Sequence, residues 1–138
     1  MKIGVLIVSH YRLGEEFLQA LRLIVPDPPD FRAVAIEPDQ SVEDMRASID
    51  AALRSVDQGS GVLVLTDMFG GTPSNLSYSF LEEGRIEVLS GVNLPVLIQA
   101  ASLRGKEMNL EELAADLEIF GKKSISLASG ILKGNKRS

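Results

Sequence analysis

Cysteine is absent from the 138 residues of this chain, and histidine occurs once, as His10. Without cysteine there can be no disulfide framework, no thiolate nucleophile and no cysteine-based metal site. The absence of cysteine is also typical of a reducing compartment, so we expect the protein in the cytoplasm.

Excess positive charge and long hydrophobic runs are absent as well. The net charge at pH 7 is −5, which argues against binding to nucleic acid or directly to an anionic membrane surface. A partner that binds through charge should offer a basic face. The apolar run at residues 3–8 is far shorter than the ~20 residues that span a bilayer, so we expect neither a signal sequence nor a membrane anchor.

The apolar content is sufficient for one core. Hydrophobic residues make up 45% of the chain, and the length is typical of a single domain of about 100–150 residues. We expect this domain to cover residues 1–130 and the basic, glycine-containing residues 131–138 to form a disordered tail.

Apolar runs alternate along the chain with segments of helical spacing. The runs at residues 3–8 and 61–66 are continuous, which is typical of strands buried on both faces of a parallel sheet. Residues 31–36 are the predicted second strand, and residues 85–90 are less apolar and are predicted to lie nearer an edge. Apolar spacing and capping residues predict helices over residues 13–24, 41–56, 72–83, 93–105 and 109–121.

The order of these elements predicts an α/β fold with helices on both faces of a doubly wound, mostly parallel sheet. The expected strand order is 2-1-3-4, and residues 124–128, in which Ile125 and Leu127 alternate with serines, are predicted to add a short C-terminal edge strand. The switch point of such a sheet lies between the first and third strands. These strands end at His10 and just before Asp67, so the two side chains are expected side by side.

A carboxylate beside a lone imidazole can form a nucleophilic site. If Asp67 accepts a hydrogen bond from one ring nitrogen of His10, it fixes the tautomer and leaves the lone pair of the other nitrogen facing the crevice. The carboxylate also stabilises the positive charge that the ring gains when that nitrogen is substituted. Considered alone, either residue is also consistent with a local capping role at the end of its strand.

Two predicted helix N-termini, at residues 11–13 and 71–74, direct backbone N–H groups at this crevice, and such ends favour a phosphoryl group. Glycines leave the backbone open to phosphoryl oxygens, and a threonine hydroxyl can donate another hydrogen bond, although two glycines alone are equally typical of a tight turn. Fixed amides can support phosphoryl transfer without a metal, and the single acidic residue predicts no magnesium site and no cofactor. The predicted phosphoryl-binding residues are Tyr11, Gly70, Gly71, Thr72 and Ser74.

Three segments of the chain resemble one known family. They are Ile-Val-Ser-His at residues 7–10, Asp-Met-Phe-Gly-Gly-Thr-Pro-Ser-Asn at residues 67–75 and Gly-Val-Asn-Leu-Pro at residues 91–95, and the middle segment is the most specific. On these residues the chain resembles the mannose-type (mannose/fructose/sorbose) enzyme IIA component of the bacterial phosphoenolpyruvate-dependent sugar phosphotransferase system. The resemblance implies that His10 is phosphorylated, that Asp67 is its hydrogen-bonding partner and that Thr72 lies beside the phosphoryl group.

The resemblance also implies the partners. His10 would receive the phosphoryl group from the histidine-containing phosphocarrier protein and pass it to enzyme IIB, with membrane contact only indirectly through transporter subunits. Family members commonly form homodimers and have a C-terminal strand that can exchange between subunits, which residues 124–128 would suit. The chain departs from the family at Tyr11, because glycine usually follows the active histidine. The ring would narrow the approach to His10, change how a partner docks, or turn outward without effect.

Two related functions stay open on the sequence alone. The phosphotransfer subunit of a dihydroxyacetone kinase uses a similar domain and histidine, although its loop after the aspartate differs from the one here. A regulatory module of an incomplete phosphotransferase system would be phosphorylated at His10 without carrying a phosphoryl group to a sugar. A response-regulator receiver fits poorly, because it needs an acidic pair after the first strand, where this chain has Ser9 and His10.

Overall fold

The computed structural model describes residues 2–26 and 30–134, in which four strands and six helices follow one another. The strands are β1 (Gly4–His10), β2 (Phe31–Ile36), β3 (Val62–Thr66) and β4 (Ile86–Ser90). The helices are α1 (Leu13–Arg22), α2 (Val42–Val56), α3 (Thr72–Tyr78), α4 (Leu94–Leu103), α5 (Leu110–Lys123) and α6 (Ala128–Leu132). The predicted order of strands and helices is confirmed as far as α5.

The four strands form one parallel sheet in the order β2-β1-β3-β4, which confirms the predicted α/β topology. β1 and β3 occupy the centre of the sheet and are buried along almost their whole length, because continuous apolar runs can be covered on both faces. β4 lies at an edge, as its less apolar sequence predicts. Val8 is in register with Thr66, so the carboxyl ends of the two central strands lie at the same level.

Each face of the sheet has its own apolar core. Val5 and Ile7 of β1 pack with residues of α1, α4 and α5, whereas Leu6 and Val8 pack with residues of α2 and with Leu76 of α3. Burial of each such side chain contributes about 1.5–3 kcal/mol, so the alternation along β1 holds the sheet between two helical layers. Within the described ranges, no helix combines the length and the hydropathy needed to cross a membrane.

Helix α3 is shorter than predicted. It ends at Tyr78 and not near residue 83, and Leu81, an apolar residue of the kind that would face inward in the predicted helix, is exposed. After Tyr78 the chain forms tight turns, and Glu82 makes an antiparallel bridge with Ile86. Gly84 has a positive φ of 77°. A glycine after a predicted helix is a typical C-cap, but Gly84 forms the turn into β4 and the C-cap of α3 is Ser79.

No strand forms at residues 124–128, so the prediction of a C-terminal edge strand is wrong. α5 extends to Lys123, Ser124 is its C-cap, and residues 125–127 have no regular structure before α6. A strand needs hydrogen bonds to a neighbouring strand, and an alternating apolar pattern does not supply that neighbour. Of the predicted tail, residues 131–132 lie in α6 and residues 135–138 lie outside the described residues.

Candidate active site

His10 and Asp67 meet at the carboxyl ends of the two central strands. His10 is the last residue of β1, and Asp67 directly follows β3. The imidazole Nδ1 lies 2.8 Å from Asp67 Oδ2, and the backbone N–H of His10 donates to the same oxygen at 2.9 Å. The parallel register of β1 and β3 therefore brings together the two side chains that the topology predicts as neighbours.

The contact with Asp67 determines which ring nitrogen of His10 can react. Because a carboxylate oxygen accepts the hydrogen bond, Nδ1 carries the proton, and the lone pair of the neutral ring is on Nε2. The side chain of His10 is 43% exposed, whereas that of Asp67 is 10% exposed. The carboxylate is thus shielded from water while the ring stays open to a partner.

Asp67 uses only one of its two carboxylate oxygens. Oδ2 accepts both hydrogen bonds from His10, while Oδ1 is buried and has no hydrogen-bond partner within the described residues. No lysine or arginine of that part of the chain forms an ion pair with this carboxylate. Its negative charge is therefore available to stabilise positive charge on the imidazole ring.

Two adjacent glycines shape the loop beside the imidazole, for different reasons. A Cβ atom on Gly71 would lie 2.7 Å from His10 Cε1 and 3.3 Å from Nε2, inside the ~3.5–4.0 Å of an ordinary carbon contact. Gly70 has open space around it but has a positive φ of 88°, which side-chain-bearing residues rarely adopt. Gly71 therefore permits the close approach of the backbone to the ring, and Gly70 permits the turn that leads to it.

Thr72 and Ser74 differ in what they offer the site. Thr72 followed by Pro73 is the pattern of an N-cap and a first-turn proline, but the N-cap of α3 is Gly71. Thr72 is exposed and lines, together with His10 and Tyr11, a groove of about 200 Å³. Ser74 is fully buried, and its hydroxyl donates to the carbonyl of Met68. The side chain of Ser74 therefore does not face the groove, and only its backbone N–H, which has no partner within the helix, can serve the predicted phosphoryl contact.

Tyr11 has a left-handed backbone conformation with φ of 49°, and no other non-glycine residue of the described chain has a positive φ. Its N–H donates to the Ile36 carbonyl at 2.9 Å, and its carbonyl accepts from Ser9 Oγ at 3.3 Å. Because the Tyr11 amide is already paired, only the side chain can serve the predicted phosphoryl site. That side chain is 57% exposed and lines the same groove as His10.

Ser9 and Thr66 are two further residues of the candidate site that no sequence motif singles out. Both are fully buried, near the ends of β1 and β3. Ser9 Oγ accepts from the Gly14 N–H at 2.9 Å, so one N–H of the first turn of α1 is used within the fold. Thr66 Oγ1 lies 2.6 Å from Ser74 Oγ. The sequence contains one signal for such residues, which is a hydroxyl side chain at the end of a buried apolar strand. A buried hydroxyl requires a hydrogen-bond partner.

Relatives of similar sequence include EIIA and EIIAB components of phosphotransferase systems. The family model EIIA-man, described as the PTS system fructose IIA component, matches residues 4–118. The chain is 29% identical to the fructose-specific EIIA component of Bacillus subtilis (strain 168) over 128 residues, which cover 92% of this chain and 87% of that relative. It is 28% identical to the mannose-specific EIIAB component of Escherichia coli (strain K12), covering 83% of this chain but only 36% of that longer relative.

A solved structure extends the similarity to three dimensions. The mannose/sorbose specific IIA subunit of the phosphotransferase system from Enterococcus faecalis matches with a TM-score of 0.80 and 30% sequence identity. The match covers 92% of this chain and 95% of that subunit. The matched family region includes β1, β3 and residues 67–75, which carry the contact between His10 and Asp67. The chain therefore belongs to the EIIA-man family of phosphotransferase-system IIA components.

Proposed function

We propose that the protein is a phosphoryl carrier of a sugar phosphotransferase system and acts in the cytoplasm. His10 accepts a phosphoryl group from the histidine-containing phosphocarrier protein and passes it to enzyme IIB. The observation that carries the proposal is the 2.8 Å contact between His10 Nδ1 and Asp67 Oδ2, because it leaves Nε2 as the nucleophile. Membership of the IIA family supports the same reaction.

In the first transfer, the lone pair of His10 Nε2 attacks the phosphorus atom of the phosphorylated donor. The new N–P bond forms while the donor's bond to phosphorus breaks, and the electron pair of that bond stays with the donor. The imidazole ring gains positive charge, which Asp67 stabilises through the Nδ1–H hydrogen bond. The second transfer is the same reaction in the opposite direction, in which a nucleophile of enzyme IIB attacks phosphorus and Nε2 leaves.

Residues 70–74 hold the phosphoryl oxygens in this proposal. The backbone N–H groups of Gly71, Thr72 and Ser74 lie at the start of α3, where N–H groups have no partner within the helix, and the Thr72 hydroxyl adds a fourth donor. Gly70 provides the turn before them, and Tyr11 lines the same groove as Thr72. Hydrogen-bond donors supply the charge stabilisation, so the transfer needs no metal ion or cofactor.

The surface around the site suits protein partners. Met68 and Phe69 directly follow Asp67 and are both exposed, Phe69 to 76%. The net charge of −5 favours a donor or acceptor with a basic face. A second copy of the chain is a further partner in the proposal, because a homodimer would cover the exposed apolar side chains of Ile125, Leu127 and Leu132.

Phosphorylation of the purified protein with phosphoenolpyruvate, enzyme I and the histidine-containing phosphocarrier protein tests the first transfer. We expect acid-labile label that is lost in His10→Ala, and no second imidazole can replace this histidine. Asp67→Asn should slow labelling. Asp50→Asn, which changes a half-exposed carboxylate paired with Arg54, should label at the rate of the unmodified protein. Label retained by His10→Ala would contradict the proposed role of His10.

Adding candidate enzyme IIB proteins to the labelled protein tests the second transfer. We expect the label to leave His10 and appear on the cognate enzyme IIB. Label that stays on His10 with every enzyme IIB of the same organism would contradict the carrier role while leaving phosphorylation of His10 intact.

A further inference from the structure

Four hydroxyl side chains meet behind the loop that follows β3, and we call them the hydroxyl cluster: Thr66, Ser74, Tyr78 and Ser90. They come from the end of β3, the two ends of α3 and the end of β4. Thr66 Oγ1 lies 2.8 Å from Ser90 Oγ and 2.6 Å from Ser74 Oγ, and the Tyr78 hydroxyl lies 3.1 Å from Ser90 Oγ. The hydroxyl cluster therefore connects three elements by side-chain hydrogen bonds.

The residues on both sides of Asp67 are held by this region of the fold. The carbonyl of Met68, directly after Asp67, accepts from the Ser74 hydroxyl. The carbonyl of Thr66, directly before Asp67, accepts from two backbone N–H groups of the loop after β4, at 2.9 and 3.0 Å. The backbone that carries the carboxylate is thus held at both ends.

Little else orients Asp67 itself. Its Oδ2 bonds to His10 alone, and its Oδ1 is buried without a hydrogen-bond partner among the residues that the structure describes. The position of the carboxylate relative to His10 Nδ1 must therefore come from the neighbouring backbone. Loss of a partner from a buried hydroxyl is unfavourable, so the hydroxyl cluster has few alternative arrangements.

We infer that the hydroxyl cluster is a positioning device for phosphoryl transfer, which keeps Asp67 in line with His10 Nδ1 and keeps the Gly71 backbone against the ring. The inference rests on the proposed function of His10. The members of the cluster are positioning residues, because their hydroxyls bond to one another and to the Met68 carbonyl and not to the reacting atoms. A cluster with a purely structural role would stabilise the fold without changing the contact between His10 and Asp67.

The matched variants Thr66→Val and Thr66→Ser test this inference. Valine has nearly the shape of threonine and carries a methyl group in place of the hydroxyl, whereas serine keeps the hydroxyl. The measurements are the rate of His10 labelling, the thermal unfolding midpoint and the ring Nδ1–H proton resonance, which belongs to the only histidine. We expect labelling of Thr66→Val to be roughly tenfold slower and its Nδ1–H resonance to weaken, while Thr66→Ser stays within about twofold of the unmodified protein.

If Thr66→Val does not fold, Tyr78→Phe tests in its place whether the hydroxyl cluster positions Asp67. It removes the hydroxyl next to Ser90 but keeps the ring, whose centroid lies 6.2 Å from that of Phe69. We expect labelling about threefold slower with a weakened Nδ1–H resonance. Ser79→Ala, which removes a hydroxyl outside the cluster, should change neither measurement.

Unchanged labelling rates and unchanged Nδ1–H resonances in the folded Thr66→Val and Tyr78→Phe variants would overturn the inference, and so would an equal slowing in Ser79→Ala. If the unmodified protein takes up no label, the proposed function fails. The Nδ1–H resonance then still shows whether the cluster holds Asp67 against His10.

Discussion

Among single substitutions in the loop, Gly71→Ala should slow phosphoryl transfer most strongly relative to its effect on the stability of the fold. Gly71 has φ of −91° and ψ of 173°, a conformation that alanine adopts without strain. Its Cβ atom would lie 2.7 Å from His10 Cε1, so the ring or the loop must move by roughly 1 Å to restore an ordinary carbon contact. We expect this movement to weaken the hydrogen bond between His10 and Asp67.

The size of the effect follows from that hydrogen bond. A hydrogen bond to a charged group contributes about 1.5–3 kcal/mol, which corresponds to a roughly 10- to 150-fold slower labelling of His10 if the bond is lost. The fold should lose only about 1 kcal/mol, because alanine is a poorer N-cap than glycine. Labelling rates at a fixed concentration of the phosphorylated donor and unfolding in urea measure the two effects separately.

Gly84→Ala is the matched control for this prediction. Gly84 lies in the turn before β4, has φ of 77° and has no atom closer than 4.0 Å to the position of an added Cβ. Alanine there should destabilise the fold by about 1–2 kcal/mol through backbone strain alone and leave labelling unchanged. Gly71→Ala labelled at the unmodified rate, or Gly84→Ala slowed as much as Gly71→Ala, would refute the reasoning.

Two further substitutions test the structure around the site and at the opposite end of the sheet. Tyr11→Gly should raise the free energy of unfolding by about 1 kcal/mol, since glycine adopts the left-handed conformation of this residue without strain. A lower unfolding midpoint would show that the packing of the ring outweighs the strain. Arg104→Ala should lower the free energy of unfolding by about 3 kcal/mol in urea, because the buried guanidinium donates to the Ile3 carbonyl and to Asp30, both at 3.2 Å. Arg54→Ala, which breaks only an exposed ion pair, should lower the free energy of unfolding by less than about 1 kcal/mol. An equal loss in both arginine variants would contradict the stabilising role of the buried Arg104 contacts.

Strands and helices could be predicted from the sequence where apolar runs or capping residues within the same segment identify them. The bounds of β2 agree with its predicted run, and continuous apolar runs identify the two central strands because both faces of those strands are covered. The N-caps Ser41, Asn93 and Asn109 each accept a backbone N–H three residues later, as the capping patterns predict. A cap and its helix are neighbours in sequence, so the pattern contains the whole interaction.

Features that depend on distant contacts could not be predicted in the same way. The end of α3 depends on the bridge between Glu82 and Ile86, and a strand at residues 124–128 would need a pairing partner that the alternating pattern does not identify. At the site, the approach of His10 to Asp67 follows from the topology of the sheet, but the inward turn of Ser74 follows from its contacts with Thr66 and Met68. These contacts join residues whose positions are set only after the sheet and helices have packed.

The sheet and the loops therefore make different contributions to the site. The sheet brings His10 and Asp67 to the same end of adjacent strands. Within the sheet, a side chain at Gly4 would overlap the Val56 carbonyl, so a substitution there would lower the stability of the whole fold. The loop at Gly71 approaches the ring itself, so a side chain there would contact the imidazole of His10 and leave the core unchanged. Because the backbone of Gly71 lies against the imidazole ring, Gly71→Ala should change transfer at nearly constant stability, whereas a substitution at Gly4 should change stability first.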